Sequence, residues 1–325
     1  MKTLEHPRVD ATDRLRRRFR SYALVSGIGT YLLIVFGGIV RITGSGLGCG
    51  DDWPLCNGQL LPPWDLATWI EWTHRLLAAG LALPIVATAV YGVRRRLAGD
   101  PAPGSVAAVA AVVLLIVQVA LGAITVKLEL PPVVTALHFV NAMLMLGALI
   151  SAAVAAGGEP GLIEDGAAGR KRVRVAMGAL VLGLLTVTLG ALTANLGLVG
   201  ATTQPSAAAW ACQGFPLCNG EFMPKSGGSG LVHTHWTHRV LAYLLFFHVI
   251  GAAIALIRGG APTAVRNPAL ASAVLVVAQV AVAAGLVLLG LPSSYRVLHL
   301  AVGVALWAAI VNWYAAAKRV AARGA

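Results

Sequence analysis

Hydrophobic residues in this chain of 325 residues fall in long, nearly uninterrupted runs, with no polar face recurring at helical or strand spacing. Runs of roughly 18 or more such residues are long enough to cross a bilayer as helices. Lipid offers no hydrogen-bond partners to the backbone, so helices are the structure that such runs predict. The eight predicted spans are 22–42, 68–93, 105–127, 132–155, 173–194, 231–257, 268–290 and 293–317.

Composition supports a membrane protein. The chain is 58% hydrophobic and only 12% charged, whereas soluble domains carry about 25% charged residues. The first run follows an arginine-rich segment, as the apolar part of a signal peptide would. It is longer than such a segment and lacks the usual small-residue cleavage motif, so we predict a retained helix. The predicted fold class is an all-α integral membrane protein.

Basic residues alternate between the two sides of the predicted membrane. By the positive-inside rule the sides rich in Lys and Arg are cytoplasmic, which places both termini there. This sidedness and the attraction of anionic lipid headgroups account for the net charge of +12 without a nucleic-acid partner. The basic residues on that side are Lys2, Arg8, Arg14, Arg16, Arg17, Arg18, Arg20, Arg94, Arg95, Arg96, Arg170, Lys171, Arg172, Arg174, Arg258, Arg266, Lys318, Arg319 and Arg323.

The chain contains an internal repeat. The word Trp-Thr-His-Arg occurs with its histidine at His74 and again at His238, 164 residues later. His138 recurs as His299 with a spacing of 161 residues. With four spans in each half, both halves enter the membrane from the same side, so the repeats are parallel. We therefore predict two parallel, pseudo-symmetric four-helix bundles.

The repeat divides the chain into five predicted segments. Two are the four-helix halves, and the other three are a basic arm, a linker and a basic tail, all cytoplasmic. The arm is 1–21, the N-terminal half 22–156, the linker 157–172, the C-terminal half 173–317 and the tail 318–325.

Each of the two long outer loops, 43–67 and 195–230, holds two of the four cysteines within similar words. Paired cysteines on the oxidising side of a membrane favour one disulfide per loop. Zinc prefers closer cysteine spacing with histidines in the same loop, and the Cys-x-x-Cys-His signature of c-type haem is absent. A redox-active dithiol stays open as an alternative. The predicted pairs are Cys49–Cys56 and Cys212–Cys218.

Four histidines lie at similar depths in the second, fourth, sixth and eighth spans. At a rise of 1.5 Å per residue, His74, His138, His238 and His299 lie roughly 9 to 12 Å below the outer helix ends. Ionisable residues inside spans are rare and usually functional. Buried histidines that merely join helices are the alternative, but four at matched depth and spacing favour ligands.

Opposed imidazoles on two membrane helices suit a haem, whose iron takes two axial donors and whose faces pack against apolar walls. Zinc or copper would need further ligands at the same level, which the first half does not obviously offer. Two histidine pairs therefore predict two porphyrin sites.

The chain resembles the haem A synthase family in four features taken together. These are the eight spans, the Glu-x-x-His of Glu71 and His74, the three further histidines and the Trp-Pro-Leu-Cys loop. The likeness covers about residues 22–317. It implies a bacterial plasma-membrane enzyme that oxidises a ring methyl group of haem O to the formyl group of haem A. Haem b would be its electron-transfer cofactor.

The resemblance also implies roles for individual residues. His238 and His299 would ligate the haem b iron, His74 and His138 would hold the haem O substrate, and Glu71 would be the catalytic carboxylate. The first cysteine pair would matter more for activity than the second. The implied partners are membrane lipid, a haem O synthase and cytochrome oxidase assembly factors. The electron acceptor, the oxygen source and the presence of an oligomer stay open.

Glu71 is the one ionisable difference between the two repeated helix words, because His235 stands at the matching position. A carboxylate one turn from His74 would face the same porphyrin and suits proton transfer. The alternative is a structural ion pair with Arg75, four residues on.

Other polar residues of the spans have weaker assignments. Arg75, Arg239 and Arg296 could meet haem propionates or extend to the headgroups. His233 and His235 could be interfacial, and His248 fits packing better than ligation.

Two other functions compete with haem A synthesis. The first is a di-haem b electron carrier linked to quinol. Such a carrier has no need for a carboxylate that is present in one half and absent from the other, so Glu71 argues against it. A transporter working at the repeat interface would be expected to have paired broken helices at mid-membrane, and the halves lack that pattern.

Overall fold

The computed structural model describes residues 6–157, 166–225 and 227–321. Within these ranges the chain forms nine helices and no strand, apart from two isolated bridges in the cysteine loops. The predicted all-α fold is confirmed. The helices are α1 (His6–Ile42), α2 (Leu66–Leu97), α3 (Ser105–Lys127), α4 (Pro132–Ala155), α5 (Gly166–Asn195), α6 (Ala207–Trp210), α7 (Gly230–Arg258), α8 (Thr263–Leu288) and α9 (Ser293–Ala321).

All helices except the four-residue α6 are long and apolar enough to cross a membrane. Their outward faces carry large hydrophobic side chains such as Leu32, Val25 and Phe247, which are 59%, 60% and 69% exposed. An apolar outer surface on every long helix is expected where lipid replaces water as the solvent. The chain is therefore a multi-pass membrane protein, and its described residues contain the predicted eight spans.

Three helices extend beyond their predicted spans into segments assigned to the arm, linker and tail. α1 includes the arginine-rich stretch, α5 begins at Gly166 and α9 continues to Ala321. Arginine is a good helix former, and no proline follows the first turn of these stretches, so the helices continue past the apolar residues. The remaining parts of those segments, residues 1–5, 158–165 and 322–325, lie outside the described residues.

Helix contacts form two closed cycles. Each of α1 to α4 contacts the next, and α4 returns to α1. The helices α5, α7, α8 and α9 make a second cycle, which α9 closes against α5. The two cycles meet where α4 contacts α5 and α9 and where α1 contacts α9.

The contact between the cycles has a core of its own. Ile34 of α1, Met143 and Leu146 of α4 and Trp307 of α9 are buried in one cluster. The indole N–H of Trp307 donates to the Met143 carbonyl oxygen across this contact at 2.8 Å. The cycles therefore share buried surface near the middle of the molecule.

Candidate functional site

His74 lies on α2, eight residues after the first residue of the helix. Its ring is 5.9 Å from the Phe36 ring, and an added Cβ at Gly37 would lie 3.0 Å from its Cε1. A side chain at position 37 would therefore displace the imidazole. Nδ1 of His74 is buried and has no hydrogen-bond partner among the described residues. A buried polar atom without a partner is costly unless a ligand satisfies it.

His138 lies on α4, six residues after the first residue of that helix. An added Cβ at Gly122 on α3 would lie 3.2 Å from its Cε1. Nε2 of His138 is 3.0 Å from Nε2 of Gln118, also on α3, and Nδ1 of His138 is buried without a partner among the described residues. The two predicted substrate ligands thus lie in the same four-helix cycle.

His238 occupies the position on α7 that His74 occupies on α2, eight residues after the helix begins. Nδ1 lies 2.9 Å from the Thr186 carbonyl oxygen of α5. A carbonyl only accepts, so Nδ1 carries the proton and Nε2 keeps a free lone pair. An added Cβ at Gly190 would lie 2.8 Å from the Cε1 of this ring. His238 is held as a metal-ligating histidine is held, with its second nitrogen on a carbonyl.

His299 lies on α9, six residues after the helix begins, and α9 packs against α5, which carries the Thr186 partner of His238. The Gln279 amide nitrogen on α8 is 3.1 Å from Nδ1 and 3.3 Å from Nε2 of His299. The second predicted pair therefore lies in the second helix cycle, with a glutamine beside one member as in the first.

The donors fit two axially ligated haems better than they fit bare metal ions. Each site offers a pair of imidazoles from two helices that lie diagonally across a four-helix cycle, and a haem iron takes two such axial donors. Glycine stands beside His74 and His238, so the helix backbone comes close to both rings. The unpartnered Nδ1 of His74 in the first site and the free lone pair of His238 in the second are atoms that a ligand would satisfy.

Glu71 is buried, with 3% of its surface exposed, and both of its carboxylate oxygens are engaged. Oε2 accepts the Cys49 backbone N–H at 2.8 Å. Oε1 accepts from Nη2 and Nε of Arg75 at 2.5 and 3.2 Å. The ion pair named above as the structural alternative is therefore present, and it ties α2 to the first cysteine loop.

Arg75 extends this connection along the loop. Its Nη1 donates to the carbonyl oxygens of Asp52 and Leu55, each at 2.7 Å. Glu71 and Arg75 together form what we call the first clamp, which holds the loop against the start of α2. The guanidinium thus binds the loop through Nη1 and Glu71 through Nη2 and Nε.

His235 and Arg239 form the second clamp at the matching positions. Nδ1 of His235 donates to the Ala208 carbonyl oxygen at 3.0 Å, so Nε2 accepts from Nε of Arg239 at 3.2 Å. Arg239 also donates to the carbonyl oxygens of Cys212, Gly214 and Leu217 at 2.6, 2.8 and 2.9 Å. His235 is buried in this contact.

Each of the two loops contains one of the predicted disulfides, Cys49–Cys56 in the first loop and Cys212–Cys218 in the second. In each loop the second cysteine pairs with a residue three positions on, Gln59 or Glu221. Trp72 and Trp236 close the far side of the loops, since each indole N–H donates to a loop carbonyl at 2.9 Å.

The remaining candidates contact the backbone. Arg296 donates to the Thr203 carbonyl oxygen at 2.6 Å. Nδ1 of His233 lies 3.1 Å from the Ser229 carbonyl, within its own helical turn. Nε2 of His248 lies 2.9 Å from the Val175 carbonyl on α5, which agrees with a packing role.

Four contacts around the proposed ligands, made by Gly37, Gly190, Asn141 and Thr186, were not predicted from the sequence. Gly37 and Gly190 could have been noticed as glycines inside apolar spans, where glycine is costly without a packing reason. Asn141, which hydrogen-bonds Gln118 at 2.7 Å, lies on the same helix as His138 and carried no motif. The Thr186 contact uses a backbone carbonyl, so no side chain signals it.

Comparison with known proteins identifies relatives over most of the chain. The model of the COX15-CtaA family, described as cytochrome oxidase assembly protein, matches residues 20–311. A protein of Symbiobacterium thermophilum named Heme A synthase is 32% identical, over 70% of this chain and 72% of its own length. The Heme A synthase of Alkalihalophilus pseudofirmus is 30% identical over 73% and 75%. That of Exiguobacterium sibiricum is 29% identical over 86% and 90%. The chain belongs to the COX15-CtaA family, the family of the haem A synthases.

Proposed function

We propose that this protein converts haem O to haem A by oxidising one ring methyl group to a formyl group. The family and the names of its relatives support a role in haem A synthesis. The observation that carries the proposal for this chain is the pair of imidazole sites, one in each helix cycle. If water supplies the oxygen atom, the conversion of CH₃ to CHO releases four electrons and four protons. The reaction then requires an electron acceptor and a route for protons.

The two sites divide the work in this proposal. His74 and His138 hold haem O, whereas His238 and His299 ligate haem b. Haem b, when bound, supplies an iron that takes up and passes on electrons one at a time. The free Nε2 of His238 and its Nδ1 contact with the Thr186 carbonyl support a permanent ligand there.

Glu71 is the proposed proton-transfer residue of the haem O site. The second clamp holds its loop with a neutral histidine at the matching position, so holding a loop does not require a carboxylate. The carboxylate of Glu71 therefore has a role other than holding the loop. His74 is one turn away on the same helix, so that role is proton transfer at the haem O site. Proton transfer through Glu71 requires its Oε1 to exchange partners with Arg75.

The proposed arrangement in the membrane follows the charge pattern. Both termini are cytoplasmic, and the cysteine loops face the outside of a bacterial plasma membrane. The two closed helix cycles support pseudo-symmetric halves at 22–156 and 173–317. We also propose a functional association with a haem O synthase and with cytochrome oxidase assembly factors, in agreement with the description of the family.

The test is to supply haem O to the purified protein, in membranes containing an electron acceptor, and to separate the porphyrins by chromatography. We expect haem b in the protein as purified and haem A after incubation. His238→Ala should lower the haem b content, whereas His74→Ala should abolish haem A formation and leave haem b bound. A protein that carries only haem b and never forms haem A would be the di-haem electron carrier, and the proposal would be wrong.

A further inference from the structure

The two sites differ in a contact that touches one proposed ligand directly. In the first site Nδ2 of Asn141 donates to the Leu114 carbonyl oxygen at 2.9 Å and to Oε1 of Gln118 at 2.7 Å. A backbone carbonyl can only accept, so the Asn141 atom beside it is the nitrogen. The Gln118 atom that Asn141 contacts is then the oxygen, and the Gln118 amide nitrogen faces His138.

This chain of hydrogen bonds fixes the state of His138. The Gln118 amide donates to Nε2 of His138 at 3.0 Å, so the lone pair of Nε2 is occupied and Nδ1 carries the proton. Neither ring nitrogen then has a lone pair free for iron. His238 is the opposite case, because its Nε2 is free.

The second site has the glutamine but not the asparagine. The spacing of 161 residues that relates His138 to His299 and Gln118 to Gln279 places Val302 where the first half has Asn141. The Gln279 amide nitrogen lies 3.1 and 3.3 Å from the two ring nitrogens of His299, but it also donates to the His299 backbone carbonyl oxygen at 3.0 Å. Its Oε1 is buried without a partner among the described residues. An unsatisfied buried oxygen weakens the hold of this amide beside His299.

We propose that Asn141 and Gln118 are positioning residues that make ligation by His138 reversible. Gln118 occupies Nε2 of His138 whenever iron does not, and Asn141 keeps the amide turned for that exchange. This inference rests on the proposed function, in which one haem leaves the protein as product and the other stays. Competition at Nε2 gives the first site a way to release its porphyrin, whereas the Val302 site retains its porphyrin.

The experiment compares Asn141→Val with the reverse substitution Val302→Asn. Each protein is loaded with haem O, mixed with excess apomyoglobin, and sampled over time for the haem O and haem b that it retains. Asn141→Val should slow haem O release by about five-fold, the effect of one neutral hydrogen bond, and leave haem b release unchanged. Val302→Asn should speed haem b release by a similar factor.

Gln118→Leu separates this role from a general structural one. Loss of the competing amide should also slow haem O release, whereas a site that merely loses packing would release haem O faster. Faster or unchanged haem O release in both Asn141→Val and Gln118→Leu would overturn the inference and leave the proposed function standing. Failure of the unmutated protein to retain any haem O would overturn both.

Discussion

The two clamps solve the same mechanical problem with different charges. In each, an arginine on a long helix donates to several carbonyls of a disulfide-closed loop, and the residue four positions earlier completes the contact. The first clamp balances its arginine with the Glu71 carboxylate, whereas the second uses the neutral imidazole of His235. Either a carboxylate or an imidazole can therefore complete the contact between the arginine and the loop. The choice of Glu71 in the first clamp is then explained by its proposed role in proton transfer.

Replacing Glu71 or His235 by glutamine tests the clamps, and Glu71→Gln has the largest expected effect on haem A formation. Glu71→Gln keeps the shape and an acceptor for the Cys49 N–H but cannot move a proton. Haem A formation should fall by about 10²-fold or more, the usual contribution of a general acid or base. His235→Gln, the matched change, should leave most of the rate. Rates are measured by porphyrin chromatography with haem b content as the control for folding.

Two outcomes would contradict the role of Glu71. If Glu71→Gln makes haem A at the unmutated rate, the residue only holds the loop. If His235→Gln is impaired equally, the clamps matter through the loops and the asymmetry has no catalytic meaning. Partial activity in Glu71→Asp would support proton transfer.

Removal of the arginines should cost stability in both halves. Arg239→Met leaves three loop carbonyls and His235 without their donor, and each hydrogen bond to a charged group contributes about 1.5 to 3 kcal/mol. We expect a loss of about 3 kcal/mol in the free energy of unfolding, since water satisfies part of the exposed loop. Arg75→Met should cost more, because it also strands the buried Glu71 carboxylate. Chemical unfolding in detergent, followed by circular dichroism, measures the difference; equal losses would contradict the charge argument.

The disulfides allow a smaller test of the same comparison. Each closes a loop of six or seven residues, for which the entropic model gives about 2 kcal/mol. Replacing both cysteines of either loop by serine should lower stability by similar amounts. Haem A formation should fall further in Cys49→Ser/Cys56→Ser, because Glu71 binds the backbone of Cys49. Equal haem A formation in the two double variants would contradict a link between the first loop and the proposed role of Glu71.

The smallest expected effect is on the stability of the N-terminal caps of α2 and α7, the helices that carry the two clamps. Asp65 caps α2, and the Thr68 backbone N–H holds the pKa of its exposed carboxyl below the ordinary 3.8. Ser229 caps α7 through the Val232 N–H and does not titrate. The lowered pKa means that the Asp65 cap is intact above pH 3.8 and is lost as the pH falls below it.

Amide hydrogen exchange can detect this difference. After correction for intrinsic rates, protection in the first turn of α2 should be constant above pH 3.8 and fall as the pH is lowered below it, while the first turn of α7 stays unchanged. Asp65→Ser should remove the pH dependence. An equal loss of protection in both helices would contradict the assignment to Asp65.

The sequence by itself determined the class of protein, the number of spans and the identity of the repeat. These depend on local quantities: the length of apolar runs compared with a bilayer, and words that recur at fixed spacing. It also placed each histidine within two turns or so of a helix start, because depth in a straight helix follows from counting residues.

Only the tertiary structure decided which atoms meet. Glu71 shares its helix face with His74, yet its oxygens are drawn to Cys49 and Arg75, because a buried carboxylate must find donors and the loop supplies them. Likewise, Gln118, Asn141 and Leu114 come together only when α3 packs on α4. Hydrogen bonds between helices depend on rotation and approach, which no single span encodes.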